Sequence, residues 1–279
     1  MKTILIVIAG MADLPDPITR RDTPLNVANI PSLHTLARRG ELTSLSPLGS
    51  HDISHVNSTL SLLGYDLDRG EPSTRELMEY GLEGGALLTD FPTLRPFIIP
   101  GFSGHGVCVT TSAWVRGVAK CALLKPLDIY SPGSSDAEIL ETMAELAINS
   151  IKDNEFVLVY VDSPLKAALK GDFDSKVTAL ELIDRHLVTP VADFVWKSEL
   201  LLHLAVTTDL VTPWHKQRPS KLSVPVVFYF NNHDWEGDPD QKLTEEESLY
   251  TEGNTYTSSD FMRYLSNFSV SDEEEELPY

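Results

Sequence analysis

Short apolar segments recur along this chain and limit its fold more than any other feature. Residues 4–8 read Ile-Leu-Ile-Val-Ile, and largely apolar runs also occupy residues 156–161, 200–206 and 224–230. Runs of this length, rich in β-branched residues, are typical of strands buried on both faces of a parallel sheet. Segments with helical periodicity separate them. The sequence therefore predicts an α/β fold, a mostly parallel, doubly wound sheet with helices on both faces.

Two helices are predicted from their end signals. Residues 31–39 begin at a proline and end with two arginines before Gly40, which are the usual start and stop signals of a helix. Ser135 and Glu138 form a capping box, and apolar residues recur behind it at helical spacing. Further predicted helices cover residues 75–80, 113–122, 173–196 and 259–268, and further strands cover residues 42–45, 106–110 and 127–130.

The predicted domain organisation is simple. A chain of 279 residues is compatible with one α/β domain, and we find no internal repeat and no linker long enough to separate two domains. We expect a single domain over residues 1–270 and an acidic C-terminal tail over residues 271–279. The acidic blocks at 272–276 and 245–247 indicate solvated tails or faces. No apolar run approaches the roughly 18 residues that a membrane-spanning helix needs.

Charge indicates which partners to expect, and cysteine content indicates the compartment. The chain has 41 acidic and 22 basic residues and a formal charge of −19, which disfavours nucleic acid because phosphate contacts need Lys and Arg. Cys108 and Cys121 are too few for a disulfide framework and fit a reducing compartment, although a bridge between them stays open. We expect a cytoplasmic protein that binds neither nucleic acid nor membrane, and we interpret its apolar N-terminus as a first strand rather than a signal peptide.

Several motifs follow one another in a recognisable order. They are Ile6-Val7-Ile8-Ala9-Gly10, Thr23-Pro24-Leu25-Asn26, Ser61-Leu62-Leu63-Gly64-Tyr65, Val115-Arg116-Gly117, Gly171-Asp172-Phe173 and Thr207-Thr208-Asp209. This set resembles archaeal-type cofactor-independent phosphoglycerate mutases of the alkaline phosphatase superfamily, and the resemblance covers nearly the whole chain. It implies an alkaline-phosphatase-like core, two manganese or zinc ions, and a serine nucleophile that carries the phosphoryl group.

Most positions that match the family's metal ligands carry no ligand atom. Ala9 replaces the aspartate that follows the first strand, and Leu165 and Leu169 replace an Asp-x-x-x-His pair. Leu210 replaces a histidine, so only the preceding Asp209 survives. A lone carboxylate binds a divalent ion weakly, and we therefore predict no metal cofactor. The two leucines at 165 and 169 are expected to fill the former pocket with apolar atoms.

The family's serine nucleophile and its substrate-covering domain also have no counterpart in this sequence. The nucleophilic serine falls on His55, with Ser54 and Ser58 as neighbours that are out of register. The family inserts a substrate-covering cap domain, whereas here only residues 67–114 remain at the insertion point. The sequence therefore predicts a shortened relative that is catalytically inactive and acts as a binding, regulatory or assembly protein.

An active enzyme with relocated ligands is the alternative. His51, Asp52 and His55, together with Asp209 and His215, would form a rearranged site for manganese or zinc in a phosphomutase or phosphohydrolase. Polar loop and helix-capping roles, with Asn57 or Ser58 as the capping residue, compete with this interpretation.

Two basic residues and three ring-bearing residues are candidates for binding. Arg116 and Lys120 match a segment that approaches the substrate in the family, so an anion could bind there. Trp214, His215 and Trp235 are candidates for an interface, against ordinary packing. The expected partner is accordingly another protein or a small phosphorylated ligand.

Overall fold

A computed structural model of the chain describes residues 2–49, 51–82, 88–104, 106–129, 132–250 and 255–267. Its centre is one sheet of eight strands. In chain order these are β1 (Lys2–Ile8), β2 (Glu41–Ser46), β3 (Gly106–Thr110), β4 (Lys125–Leu127), β5 (Phe156–Val161), β6 (Leu202–Thr207), β7 (Val224–Phe230) and β8 (Tyr256–Thr257).

Helices of four to fifteen residues connect the strands. In chain order these are α1 (Pro24–Val27), α2 (Pro31–Arg39), α3 (His55–Leu62), α4 (Thr74–Leu82), α5 (Ala113–Cys121), α6 (Asp136–Ser150), α7 (Ser163–Lys170), α8 (Phe173–Ile183), α9 (Thr189–Lys197), α10 (Glu245–Tyr250) and α11 (Ser258–Asn267). A π-helical turn, Asp184–Val188, joins α8 to α9, and 3₁₀ turns occupy Leu67–Arg69 and Leu88–Asp90.

The sheet is mostly parallel, as the apolar runs predict. The strand order is β4-β3-β5-β1-β6-β7-β2-β8, and β7 alone runs antiparallel to both of its neighbours, β6 and β2. Alternate residues of β1 enter two apolar layers. Helices α3, α5 and α11 cover one face, and α2, α6, α8 and α9 cover the other. The predicted fold class, a doubly wound α/β sheet, is confirmed.

Several predicted elements differ in extent. No helix is predicted between the strand at 156–161 and residue 173, but this segment forms α7, which has Pro164 in its first turn and ends at Gly171 in a left-handed conformation. The helix predicted over 173–196 is divided by the π-helical turn. A strand was predicted over residues 127–130, but β4 occupies Lys125–Leu127, where it pairs with β3 at the edge of the sheet. Tyr130, Phe268 and the predicted tail 271–279 lie outside the described residues, so the domain boundaries stay a prediction.

The direction of the strands defines two edges of the sheet. Strands β3, β5, β1 and β6 are parallel, so the loops after them share one edge, which we call the carboxyl edge. The antiparallel strand β7 ends at the other edge, here called the opposite edge. Trp214 lies in the loop from β6 to β7 at the carboxyl edge, whereas Trp235 follows β7 at the opposite edge. The two tryptophans therefore do not form one surface.

The structure bears on two predictions from the sequence, which concern a bridge between the cysteines and a membrane-spanning helix. Cys108 and Cys121, for which a bridge was left open, are both free and buried, and burial raises the pKa of each thiol to about 12. Over the described ranges, no helix combines the length and apolar character that crossing a membrane requires.

Candidate functional site

The candidate site lies at the carboxyl edge, where three neighbouring strands end. Ala9 and Gly10 follow β1, Asp162 follows β5, and Asp209 comes two residues after β6. The N-terminus of α3 carries His55 to the same place. Ligand sites of open α/β sheets form in this position, outside the carboxyl ends of the strands. The fold therefore brings together the surviving carboxylate and the residue at the nucleophile position.

Asp209 is fully buried and surrounded by protein donors. His55 Nδ1 lies 2.6 Å from Oδ2 of the carboxylate, and the Tyr160 hydroxyl donates to the same oxygen at 3.0 Å. The backbone N–H groups of Leu210 and Gly10 donate to Oδ1 at 2.8 and 3.4 Å. Both oxygens of the one surviving ligand residue are thus already engaged within the protein.

The His55–Asp209 contact is a buried ion pair. The His55 side chain is 15% exposed and that of Asp209 is 0% exposed. Burial lowers the pKa of His55, but the Asp209 charge and hydrogen bond outweigh it and the pKa is raised. Burial raises the pKa of Asp209, but the His55 charge and the surrounding hydrogen-bond donors outweigh burial, so the pKa of Asp209 is lowered. The charged forms of both side chains are therefore stabilised together.

The two serines beside His55 have structural roles. The Ser54 hydroxyl caps α3 by accepting from the Asn57 N–H at 3.0 Å. The prediction of Asn57 or Ser58 as the capping residue is therefore wrong. Ser58 is fully buried, and its hydroxyl donates to the Asp209 backbone carbonyl at 2.5 Å. Neither hydroxyl is presented as a nucleophile. Ser54 fixes the start of α3, and Ser58 holds the helix against Asp209.

A Thr–His–Asp chain is present, but its hydroxyl is inaccessible. The Thr212 hydroxyl lies 3.5 Å from His55 Nε2, and His55 Nδ1 faces Asp209, which is the order of groups in a serine hydrolase triad. Thr212 is 0% exposed and also lies within hydrogen-bonding distance of the Leu210 carbonyl. A substrate cannot reach this hydroxyl, so the arrangement orients the imidazole and does not attack.

The substituted ligand positions are apolar and differ in burial. Ala9 and Leu210 are fully buried, and Leu165 is 7% exposed. A side chain at Gly10 would stand 2.7 Å from the Leu165 Cα, so α7 packs directly on the loop after β1. Leu169 is 46% exposed, which corrects the expectation that it fills the pocket with Leu165. Carbon side chains and an already paired Asp209 do not fit a two-metal centre.

Of the residues proposed as relocated ligands, His55 and Asp209 are in contact, and the other three make different contacts. His51 faces Asp68, with Nε2 and Oδ1 3.9 Å apart, and Asp52 is exposed. His215 packs beside Trp214, with ring centroids 5.9 Å apart. Across the described part of the chain, no group of three His, Cys, Asp or Glu side chains has the arrangement of a metal site.

A second buried ion pair adjoins the site and could not be predicted from local patterns. Lys176 and Asp13 are both 0% exposed and pair at 2.6 Å, and Lys176 Nζ also donates to the Thr212 carbonyl at 3.0 Å. Glu245 accepts from the Asp13 N–H and the Thr23 hydroxyl, each at 2.9 Å. The acidic run at 245–247 is therefore not wholly solvated, and burial raises the pKa of Glu245 to about 7.

Sequence signals for these missed residues exist but are weak. Lys176 shares a helix face with Phe173 and Leu180, both buried, which places a cation on an apolar stripe. Tyr160 is the one hydroxyl-bearing residue in the apolar run of β5. Each signal marks a buried polar atom that needs a partner, and neither names that partner.

The two basic candidates separate in the structure. Arg116 donates to the Leu127 carbonyl and to Asp128, both at 2.7 Å, and lines a pocket of about 330 Å³ with Thr110 and Thr111. Lys120 donates to the Tyr80 carbonyl and lies 4.9 Å from the centre of the Tyr80 ring. Arg116 therefore faces a pocket at the end of β3, and Lys120 contacts α4 instead.

Comparison of structures defines the class of fold. The chain superposes on the PH0037 protein of Pyrococcus horikoshii with a TM-score of 0.73 at 21% identity, covering 97% of this chain and 98% of the other. The cofactor-independent phosphoglycerate mutase of Thermoplasma acidophilum gives 0.64 at 18% identity, covering 95% and 99%. The alkaline phosphatase of the Antarctic bacterium TAB5 gives 0.52 at 10% identity, covering 95% and 97%. The fold is that of the alkaline phosphatase class.

Comparison of sequences narrows the resemblance. The 2,3-bisphosphoglycerate-independent phosphoglycerate mutase of Aeropyrum pernix is 25% identical over 126 residues, which are 45% of this chain and 30% of that protein. Its counterpart from Methanococcus aeolicus is 26% identical over 138 residues, 50% of this chain and 33% of that protein. No family model matches the chain. The sequence thus resembles archaeal cofactor-independent phosphoglycerate mutases, with the matched segment spanning about a third of their length.

Proposed function

We propose that this chain is a phosphoglycerate-mutase-like protein that has lost metal-dependent phosphoryl transfer and functions by binding. The single observation that carries the proposal is the internal saturation of Asp209. Its carboxylate accepts from His55, Tyr160 and two backbone N–H groups, so the one acidic ligand that survives is committed to the protein. A metal would have to displace the His55 imidazole, which itself stands where the family has its nucleophile.

The proposed ligand is a small phosphorylated molecule or a partner protein. The pocket beside Arg116 supports the first, because it lies at the carboxyl edge and offers a guanidinium with the hydroxyls of Thr110 and Thr111. Arg116 already forms an ion pair with Asp128, so an anion would compete with that carboxylate. The two free cysteines support a cytoplasmic setting for this function.

The competing function is an active phosphomutase or phosphohydrolase that uses manganese or zinc on relocated ligands. His51, Asp52 and His215 would then have to move toward His55 and Asp209. Metal content and turnover separate the two proposals, because the first requires neither.

The test begins with protein purified with manganese and zinc in all buffers, followed by dialysis and elemental analysis. Mutase activity is assayed on 3-phosphoglycerate, and phosphatase activity on p-nitrophenyl phosphate. We expect well under one metal ion per chain and no turnover above background. Calorimetric titration with 3-phosphoglycerate should show binding that Arg116→Gln weakens by about tenfold, while Arg75→Gln, a change to an exposed arginine on α4, leaves it unchanged.

A stoichiometric metal together with turnover that Asp209→Asn abolishes would favour the enzyme. His186→Gln is the matched control, since this histidine pairs with Glu141 on the surface, outside the site. Loss of turnover in both variants would indicate general destabilisation, and far-UV circular dichroism of each variant resolves that case.

A further inference from the structure

A second pocket lies at the opposite edge of the sheet, away from the site described above. It has a volume of about 340 Å³ and is lined by the end of α2 and by the segment that follows β7. Arg38 and Arg39 supply its basic side, and Tyr229, His233 and Trp235 supply rings. Ligand pockets in proteins measure about 300–1,000 Å³, so this cavity is large enough for a small metabolite.

Close backbone packing fixes the walls of this pocket. A side chain at Gly237 would stand 1.9 Å from the Arg38 carbonyl oxygen, so the segment after β7 lies directly on the end of α2. A side chain at Gly40, the residue that follows α2, would stand 2.0 Å from the Phe228 carbonyl oxygen. The Trp235 indole N–H donates to the Phe230 carbonyl at 3.2 Å. The pocket is therefore a formed feature of the fold and not a gap between loose loops.

Two arginines, Arg38 and Arg39, line this pocket of a strongly acidic chain. Among the described residues, neither Arg38 nor Arg39 forms an ion pair with a carboxylate; Arg38 donates to the Thr35 hydroxyl at 3.0 Å. The Arg39 guanidinium lies over the Trp196 ring, 5.0 Å from its centre, which orients it without neutralising it. Burial lowers the pKa of His34, one turn before Arg38 on α2, and the charges of Arg38 and Lys242 lower it further.

The remaining lining groups fit a flat ring with hydroxyl or amino substituents. The rings of His233 and Trp235 meet nearly at right angles, with centroids 4.5 Å apart, and form a corner beside Tyr229. Asp234 also lines the pocket and can accept hydrogen bonds from a sugar hydroxyl or an exocyclic amine. The neighbouring Glu236 is exposed to solvent. A plain inorganic anion would gain nothing from the rings and would be repelled by Asp234.

We propose that this pocket binds a nucleoside monophosphate, with the phosphate on Arg38 and Arg39, the base against the ring corner and the ribose at Asp234. Paired guanidinium groups are the preferred protein ligands of a phosphate. Aromatic side chains accept any base by stacking. This site is independent of the function proposed for the carboxyl edge.

The test is calorimetric titration of the full chain with adenosine monophosphate, adenosine and inorganic phosphate, combined with tryptophan fluorescence. We expect one molecule of adenosine monophosphate to bind per chain, and adenosine and phosphate to bind at least tenfold more weakly. The double variant Arg38→Gln/Arg39→Gln should weaken binding of the nucleotide by at least tenfold. The control Arg75→Gln changes an exposed arginine on α4 and should leave the dissociation constant within twofold.

Three results would overturn the proposal. They are no saturable binding of adenosine monophosphate, unchanged binding by the double variant, and binding of phosphate as tight as that of the nucleotide. Titration of Arg116→Gln adds a fourth, because a tenfold loss of nucleotide binding in this variant would move the site to the carboxyl edge. Thermal unfolding of each variant accompanies the titrations, because Arg39 packs on Trp196 and a folded double variant is required for the comparison.

Discussion

At the scale of single residues, His55 and Asp209 depend on each other. They are 154 positions apart in the chain and meet only because α3 begins where β6 ends. Removing one member of a buried ion pair leaves the other charge without compensation, which costs about 3–5 kcal/mol. Replacing both members together leaves no such charge. The pair therefore predicts strong energetic coupling between the two positions.

The corresponding experiment is a double-mutant cycle. We expect His55→Ala and Asp209→Ala each to lower the free energy of unfolding by about 3–5 kcal/mol, and the double variant to lose less than the sum by about 1–3 kcal/mol. Urea unfolding at pH 6 measures each value.

His186→Gln provides the control for this cycle, because its partner Glu141 is 56% exposed and exposed pairs contribute less than about 1 kcal/mol. Strictly additive losses at His55 and Asp209 would contradict the buried pair.

Sequence reasoning identified both members of this pair, but for a different reason. His55 and Asp209 stood out because they occupy family positions, and nothing in the spacing predicted that they contact each other. Lys176 was missed because its partner Asp13 lies 163 positions away and the sequence does not encode that distance locally. Tertiary pairing of buried polar groups is the information that local patterns lack.

At the scale of elements, α2 begins with a cap that comes from another helix. Both carboxyl oxygens of Asp184, in the π-helical turn, accept from the backbone N–H groups of Ser32 and Leu33, at 3.1 and 2.7 Å. Asp184 is 1% exposed, and burial raises its pKa to about 6, although those N–H groups oppose the shift. The turn thus places a buried carboxyl at the start of α2.

This raised pKa predicts a pH dependence of stability. The folded state holds the Asp184 proton more tightly than the unfolded state does, whose pKa is 3.8. The contribution to stability is therefore highest below pH 3.8 and is lost as pH rises toward 6, by up to about 3 kcal/mol. Asp184→Asn cannot titrate and is expected to be less stable than the native chain at pH 4 and to recover relative to it by pH 7.

Urea unfolding at pH 4, 5, 6 and 7 provides the measurement, and the difference between the native chain and the variant removes the titration of all other groups. Asp193→Asn is the matched control, because this residue lies in the next helix and is 47% exposed in a pair with Lys197. A constant difference between the native chain and Asp184→Asn at all four pH values would contradict the assignment.

Elements with strong local signals were predictable, and elements set by tertiary context were not. The capping box of Ser135 and Glu138 and the apolar runs of β1 and β5 appear where the sequence placed them. Helix α7 was missed although it carries the end signals used for α2, a proline in its first turn and a glycine after its last. The π-helical turn has no sequence signal of its own, since its position reflects the contact of Asp184 with α2.

At the scale of the whole molecule, the two pockets lie at opposite edges of one sheet. The antiparallel course of β7 is responsible, because it carries the segment after residue 230 away from the carboxyl edge. The chain has an overall charge of −19, so an anion in either pocket would need the arginines that line it for electrostatic attraction. Both proposed ligand sites therefore depend on the local distribution of charge rather than on its total.

The acidic tail provides a test of how strongly the total charge affects stability. Deleting residues 271–279 removes five acidic residues and changes the formal charge from −19 to −14. We expect the free energy of unfolding to change by less than about 0.5 kcal/mol at 150 mM salt, because solvated charges are screened beyond about 8 Å.

Glu245→Ala is the contrasting variant, since it removes the acceptor of the Asp13 N–H and should cost about 1–3 kcal/mol. A comparable loss on deleting the tail would show that the tail packs on the domain and is not a solvated segment.

The His55–Asp209 pair also bears on how such a chain could change over generations. Under the proposed loss of phosphoryl transfer, a change of His55 to serine would leave the buried Asp209 carboxylate without its charged partner, and Ala9, Leu165 and Leu210 would provide no ligand for a metal to replace it. The first step back toward a phosphotransferase would therefore lower stability before restoring any chemistry. Under the same proposal, the 2.6 Å contact between His55 and Asp209 would oppose such a reversal, which would also require new ligands at the other positions.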